Sequence, residues 1–149
     1  MNEPASLART DGKRPDGATL ISWTRGKPLA WDITIPDTYA HSYIDDTAAR
    51  ATAAADRTVA NKIAIYTKLN TTHHFTSIAI ETGGAWNQLA IEFVSQLGKK
   101  MTEVTKEPRE TRFLFQRISM RLCASGRKKI KINTIYLCNY FHLEEPGNC

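Results

Sequence analysis

The sequence predicts one small mixed α/β domain, a sheet built around a central β-hairpin and flanked by helices. Three observations carry that expectation. Two runs rich in Ile, Trp and Leu flank a short glycine turn, two helical stretches follow, and a further apolar run lies between those stretches. At 149 residues the chain has one domain's length, enough for a real core and too little for two.

Residues 1–13 are polar and mixed in charge, a loose lead-in without the apolar run of a signal peptide. Residues 18–23 and 28–35 read as strands around Thr24-Arg25-Gly26, with Gly26 where a three-residue hairpin loop ends in a left-handed residue. Residues 36–46 connect. The stretch 47–69 is alanine-rich and poor in breakers, a helix with Val59, Ile63 and Tyr66 as its apolar stripe. Residues 74–81 (HFTSIAIE) form a third strand. Gly83-Gly84 then precedes a helix with Trp86, Leu89, Ala90, Phe93, Val94 and Leu97 on one face. Pro108 opens another helix to about Cys123, and 130–141 is a candidate last strand. The folded domain is therefore expected over 14–123, with 124–149 as a basic tail.

Composition narrows the setting. No apolar run approaches the length that spans a bilayer, and three cysteines (Cys123, Cys138, Cys149) are too few and odd in number for a disulfide framework. The expectation is an intracellular protein, nuclear or cytoplasmic, that is neither secreted nor bound to a membrane. Residues 99–131 hold eleven Lys/Arg against three Glu, so this third carries about +8 of a chain whose net charge is +5. Such a segment suits a polyanion or a solvated helix face. Arg109, Arg112, Arg117, Arg121, Lys128 and Lys129 are its candidate phosphate contacts, with Phe113 and Phe115 as packing.

The hairpin carries the chemistry. With a three-residue loop, Ala18 lies opposite Asp32 and Asp16 opposite Thr34, so the two aspartates share a face as diagonal neighbours. Carboxylates so placed converge on one hard divalent cation. The opposing reading makes Asp16 a turn residue and pairs Asp32 with an arginine.

Three motifs go beyond spacing: Lys13-Arg14-Pro15-Asp16-Gly17, then Trp31-Asp32-Ile33-Thr34, then Asn61-Lys62-Ile63-Ala64-Ile65-Tyr66. Together they resemble the restriction-enzyme-like endonuclease domain of non-LTR retrotransposons, a branch of the PD-(D/E)XK nucleases. The likeness runs from about Asp11 to Ile118, its later part resting on order and on 78–86 (IAIETGGAW), and none is visible from Arg121 onward. The resemblance implies a restriction-endonuclease-like fold and a piece of a mobile-element polyprotein that includes a reverse transcriptase. It implies Mg²⁺ held by Asp16 and Asp32, with Lys62 as the catalytic lysine and DNA as the substrate. The family often places its lysine two residues after the second acid, where this chain has Thr34; Lys62 matches the helix lysine of the retrotransposon branch. The implied reaction is phosphodiester hydrolysis that nicks target DNA, with Lys62 acting after the metal is seated. Two other readings stand beside it, a catalytically inactive remnant that binds nucleic acid and a protein-interaction domain.

Other signals carry less. Cys123, Cys138, His142 and Cys149 lack the spacing of a zinc module. His73-His74 reads as loop polarity, and no P-loop, dinucleotide fingerprint or Ser/His/Asp arrangement is present.

Overall fold

The computed structural model describes residues 15–19 and 22–125. The lead-in 1–13, Leu20 and Ile21, the candidate strand 130–141, Lys128, Lys129, Cys138, His142 and Cys149 lie outside the described residues. Along the chain run β1 (Gly17–Ala18), β2 (Leu29–Thr34), α1 (Ile44–Ala49), α2 (Ala53–Ile65), a 3-10 turn (Thr67–Thr71), β3 (His74–Ala79), α3 (Gln88–Thr105) and α4 (Glu110–Ser125). The strands make a three-stranded sheet in the order β1-β2-β3. β1 is antiparallel to β2. The bonds from His74 N–H to Pro28 O and from Ile80 N–H to Thr34 O keep one offset, so β3 runs parallel to β2. A parallel neighbour needs a long crossover, and the segment holding α1 and α2 supplies it. The predicted α/β class stands. Among the described residues no helix is long and apolar enough to cross a membrane.

The chain forms two compact units, one of residues up to Asp32 with Lys62–Thr76, the other of Ile33–Asn61 with Ser77 onward. In the first, Gly17 pairs with Trp31 and Ala18 with Ala30. Thr19 extends the ladder: its N–H donates to Leu29 O at 2.8 Å and its hydroxyl accepts the Leu29 N–H at 2.9 Å. This register differs by two residues from the predicted one, which sets Ala18 against Asp32. The turn explains the difference. Thr24 bridges Lys27, so the loop is two residues, Arg25 and Gly26, both with positive φ (49° and 75°). Two left-handed residues are what a type I′ hairpin requires. The N–H groups of Trp23 and Thr24 both reach Lys27 O, at 2.8 and 3.4 Å, a bulge that lodges extra residues on the first strand. The shift is even, so each side chain keeps its predicted face and changes only its partner.

β2 is buried from Leu29 through Asp32, so the predicted small, polar face is not an open one. A central strand covered on both sides has no solvent face to give. The tip is fastened by Lys27, whose ammonium donates to Asn70 O at 2.9 Å, and by the His74 imidazole, which meets Thr24 O at 3.1 Å. Tyr66 and Phe75 pack with ring centres 4.8 Å apart and planes tilted by 39°. Gly17 lies against the Trp31 indole, where a Cβ would stand 2.3 Å from Trp31 Cζ2.

In the second unit the predicted helix 47–69 is interrupted. Arg50 turns extended (φ −150°, ψ 123°) and ends α1. α2 restarts around Asp56, whose carboxylate accepts from Arg50, from the Thr52 hydroxyl and from the Asn87 amide. An acid in the first turn also suits the positive end of the helix. Ala55, Val59 and Ala79 make a small core closed by Leu89. α3 behaves as its stripe predicts, burying Ala90, Phe93, Val94, Leu97 and Met101, while Trp86 precedes the helix. Asn87 caps it through Oδ1, which accepts the Leu89 N–H at 2.8 Å. α4 answers with Leu114, Ile118 and Leu122 at four-residue spacing. The two helices meet at Gly98, where a Cβ would lie 2.6 Å from the Thr111 Cα.

The Trp31 contact gives a direct test. Gly17→Ala forces a methyl into a buried indole with no room to retreat, so urea unfolding should show a loss of about 1–3 kcal/mol. A midpoint equal to wild type would mean that β1 does not lie on Trp31.

Candidate functional site

Asp32 lies in mid-strand on β2, its side chain 6% exposed. The observed register, carried one residue past Ala18–Ala30 and Gly17–Trp31, sets Asp16 directly across from it. Side chains directly across an antiparallel pair have Cβ atoms about 4.5–5.5 Å apart, closer than the diagonal placement predicted. The two carboxyls come within hydrogen-bonding reach of each other. Lys62, in the last turn of α2, brings its ammonium to 2.6 Å from Asp32 Oδ2. Its stem packs inward while 30% of the side chain stays exposed, as an amphipathic lysine does at a boundary. All three residues belong to the first unit.

The electrostatics follow from burial. Desolvation pushes the Asp32 carboxyl up from 3.8 to about 6; Lys62 pulls it down, and the like charge of Asp16 raises it again. Lys62 is the ion-pair partner of Asp32 Oδ2, an oxygen otherwise sealed from solvent. Two convergent carboxylates suit Mg²⁺, which takes one or two carboxylates and completes its shell with water and substrate phosphate. Among the described residues no group of three or more His, Cys, Asp or Glu gathers for a metal.

The remaining predicted contacts fall on or beside α4. Arg112, Arg117 and Arg121 are exposed, and with 3.6 residues per turn they spread across its solvent half rather than forming one line. Arg109 is engaged by Glu107, its Nε and Nη2 donating at 2.8 and 3.1 Å, and it covers the Phe113 ring at 5.3 Å. Those bonds hold the Glu107 carboxyl down at about 2. Thr34, where the family often has lysine, is half-buried at the end of β2.

Sequence reading missed Glu81. It is fully buried in the second unit, its Oε1 accepting the Ala55 N–H at 3.0 Å in the first turn of α2. Among the described residues its Oε2 has no hydrogen-bond partner. The only signal was an acid closing the apolar run Ile78-Ala79-Ile80, which resembles an ordinary strand end.

No protein-family model, no curated protein and no solved structure matches this chain.

The raised Asp32 carboxyl makes stability depend on pH. Unfolded, the group loses its proton near 3.8 and folded near 6, so between these values the folded chain holds more proton. Stability therefore falls as pH rises from about 4 to about 6, and the penalty, on the order of 2–3 kcal/mol, is fully present above that window. Asp32→Asn should raise the urea midpoint at pH 7.5 and flatten that decline. Equal pH profiles in the two proteins would show that the buried charge is not what costs stability.

Proposed function

We propose that this chain is a metal-dependent DNA endonuclease domain of the restriction-endonuclease-like type, derived from a non-LTR retrotransposon, that nicks DNA by phosphodiester hydrolysis. The observation that supports it is the meeting of Asp16, Asp32 and Lys62 around one oxygen-rich point on the hairpin. Mg²⁺, when bound there, supplies Lewis-acid polarisation of a phosphate oxygen and lowers the pKa of a water. Asp16 and Asp32 would hold and orient that ion, Asp32 from within β2 and Asp16 from the residue before β1. Lys62 offers a compact positive charge to the phosphate as negative charge builds on its oxygens. Arg112, Arg117 and Arg121 give α4 a sequence-independent grip on the DNA backbone. In the full element the reverse transcriptase would extend the nicked end.

Plasmid nicking tests this reading. Wild type should nick with Mg²⁺ and stop with EDTA, and Asp32→Asn should lower the rate by at least ~10², the scale of one lost electrostatic group. Nicking that survives in Asp32→Asn places the chemistry elsewhere. Failure of a well-folded wild type to nick would favour the second reading, a remnant that only binds nucleic acid, which is supported by a site of two acids and by Thr34.

Binding is tested apart from cleavage. With EDTA present, affinity for duplex DNA should fall steeply between about 50 and 200 mM salt, and Arg117→Glu with Arg121→Glu should flatten that slope. An affinity indifferent to salt and to both changes would make α4 a solvated surface and turn the reading toward a protein-interaction domain.

A further inference from the structure

We infer that Lys62 is the resident counter-ion of the acidic pair, and that a divalent cation enters by exchange with its ammonium rather than by addition beside it. The inference rests on the metal reading of Asp16 and Asp32 and deepens it. The observation is positional. Lys62 Nζ stands 2.6 Å from Asp32 Oδ2, on the oxygen that Mg²⁺ would coordinate at about 2.0–2.1 Å. A dication cannot share that oxygen with an ammonium at the same distance, because two positive charges a few ångströms apart repel strongly in a partly buried setting. One of them has to leave.

The lysine is built to be the one that leaves. The Lys62–Asp32 contact joins a single ammonium to a single carboxylate oxygen. Lys62 is 30% exposed on the last turn of α2, and its four-carbon stem can swing the ammonium outward while the stem stays packed. Asp32, by contrast, is nearly sealed and fixed by the ladder of β2. Without metal, the ammonium offsets the charge of the buried Asp32 carboxylate. With a dication held by the acids, the ammonium would be freed toward solvent, on the side where the Lys62 side chain is already 30% exposed. The exchange therefore couples metal loading to readiness of the lysine, and it makes Lys62 a brake on metal affinity before it is an aid to chemistry. A lysine that acts only after the metal is seated would leave affinity unchanged.

The test uses the full chain without DNA, at pH 8, with Mn²⁺ as the probe and its electron-spin signal as the readout of free ion. Wild type should bind one Mn²⁺, and Lys62→Met, which keeps the apolar stem and drops the charge, should bind one Mn²⁺ at least ~10-fold more tightly. Asp32→Asn should lose the site. An unchanged or weaker affinity in Lys62→Met overturns the exchange, as does the absence of Mn²⁺ binding in both proteins. Because Lys62→Met could fail to fold, a second measurement uses wild type alone. Acylation of Lys62 by an amine-reactive ester, followed by mass spectrometry, should accelerate at least ~3-fold when Mg²⁺ is added, and constant or slower labelling overturns the proposal. The outcome is separable from the endonuclease reading. Tight Mn²⁺ binding in Lys62→Met with no nicking by wild type would keep the exchange and remove the activity; nicking by wild type with unchanged affinity would do the reverse.

Discussion

A carboxylate in the middle of a strand with no solvent face is the constraint around which the first unit is arranged. Asp32 could be replaced by a β-branched apolar residue with a gain in stability, since buried charges rarely repay their desolvation. The neighbours moderate the cost rather than removing it. Lys62 supplies one positive charge, but Asp16 adds a second negative charge directly across the ladder, so burial still holds the Asp32 carboxyl near 6. Gly17 belongs to the same arrangement. Only a residue without a Cβ lets β1 lie on the Trp31 indole, and that seating carries Asp16 to its place one residue earlier. A fold selected for stability alone has no reason to gather these groups.

What the sequence disclosed depended on whether the deciding contact was local. Alternation along 28–35 was enough to place Asp32 and Asp16 on one face, because a face depends only on whether a residue is odd or even in the strand. The partner across the ladder was not legible. It turns on Arg25 adopting a left-handed backbone, a state that glycine or asparagine would have advertised and arginine does not. The α3 stripe was legible because its period and its Asn87 cap are local. The break at Arg50 was hidden in an alanine-rich stretch because the groups that restart α2 include Asn87 and Glu81, far along the chain. The ion pair between Lys62 and Asp32 was not legible, since no spacing rule links residues thirty positions apart; resemblance singled out Lys62 only as a catalytic lysine.

Counting charges overstated what α4 presents. The +8 of residues 99–131 includes Arg109, whose guanidinium is already occupied by a bidentate contact to Glu107. Arg117 and Arg121 lie four residues apart and Arg112 falls well round the helix from both, so they are not one ribbon of charge. Met120 lies among them, 71% exposed. A rod-like polyanion meeting this helix would engage part of the set at a time, a geometry suited to loose, non-specific contact rather than to reading a sequence.

The crossing of α3 and α4 bears on the history of the chain. At Gly98 even a methyl group would press into the backbone of Thr111, and every replacement for glycine carries at least that much. A gene drifting free of selection would in time fill this position, since every amino-acid replacement of glycine is a larger residue. The constraint at Gly98 comes from the approach of Thr111, so it records selection on folding. Related chains that have lost Asp32 but kept Gly98 would have been retained for their shape, while chains that have lost both would be decaying without a role.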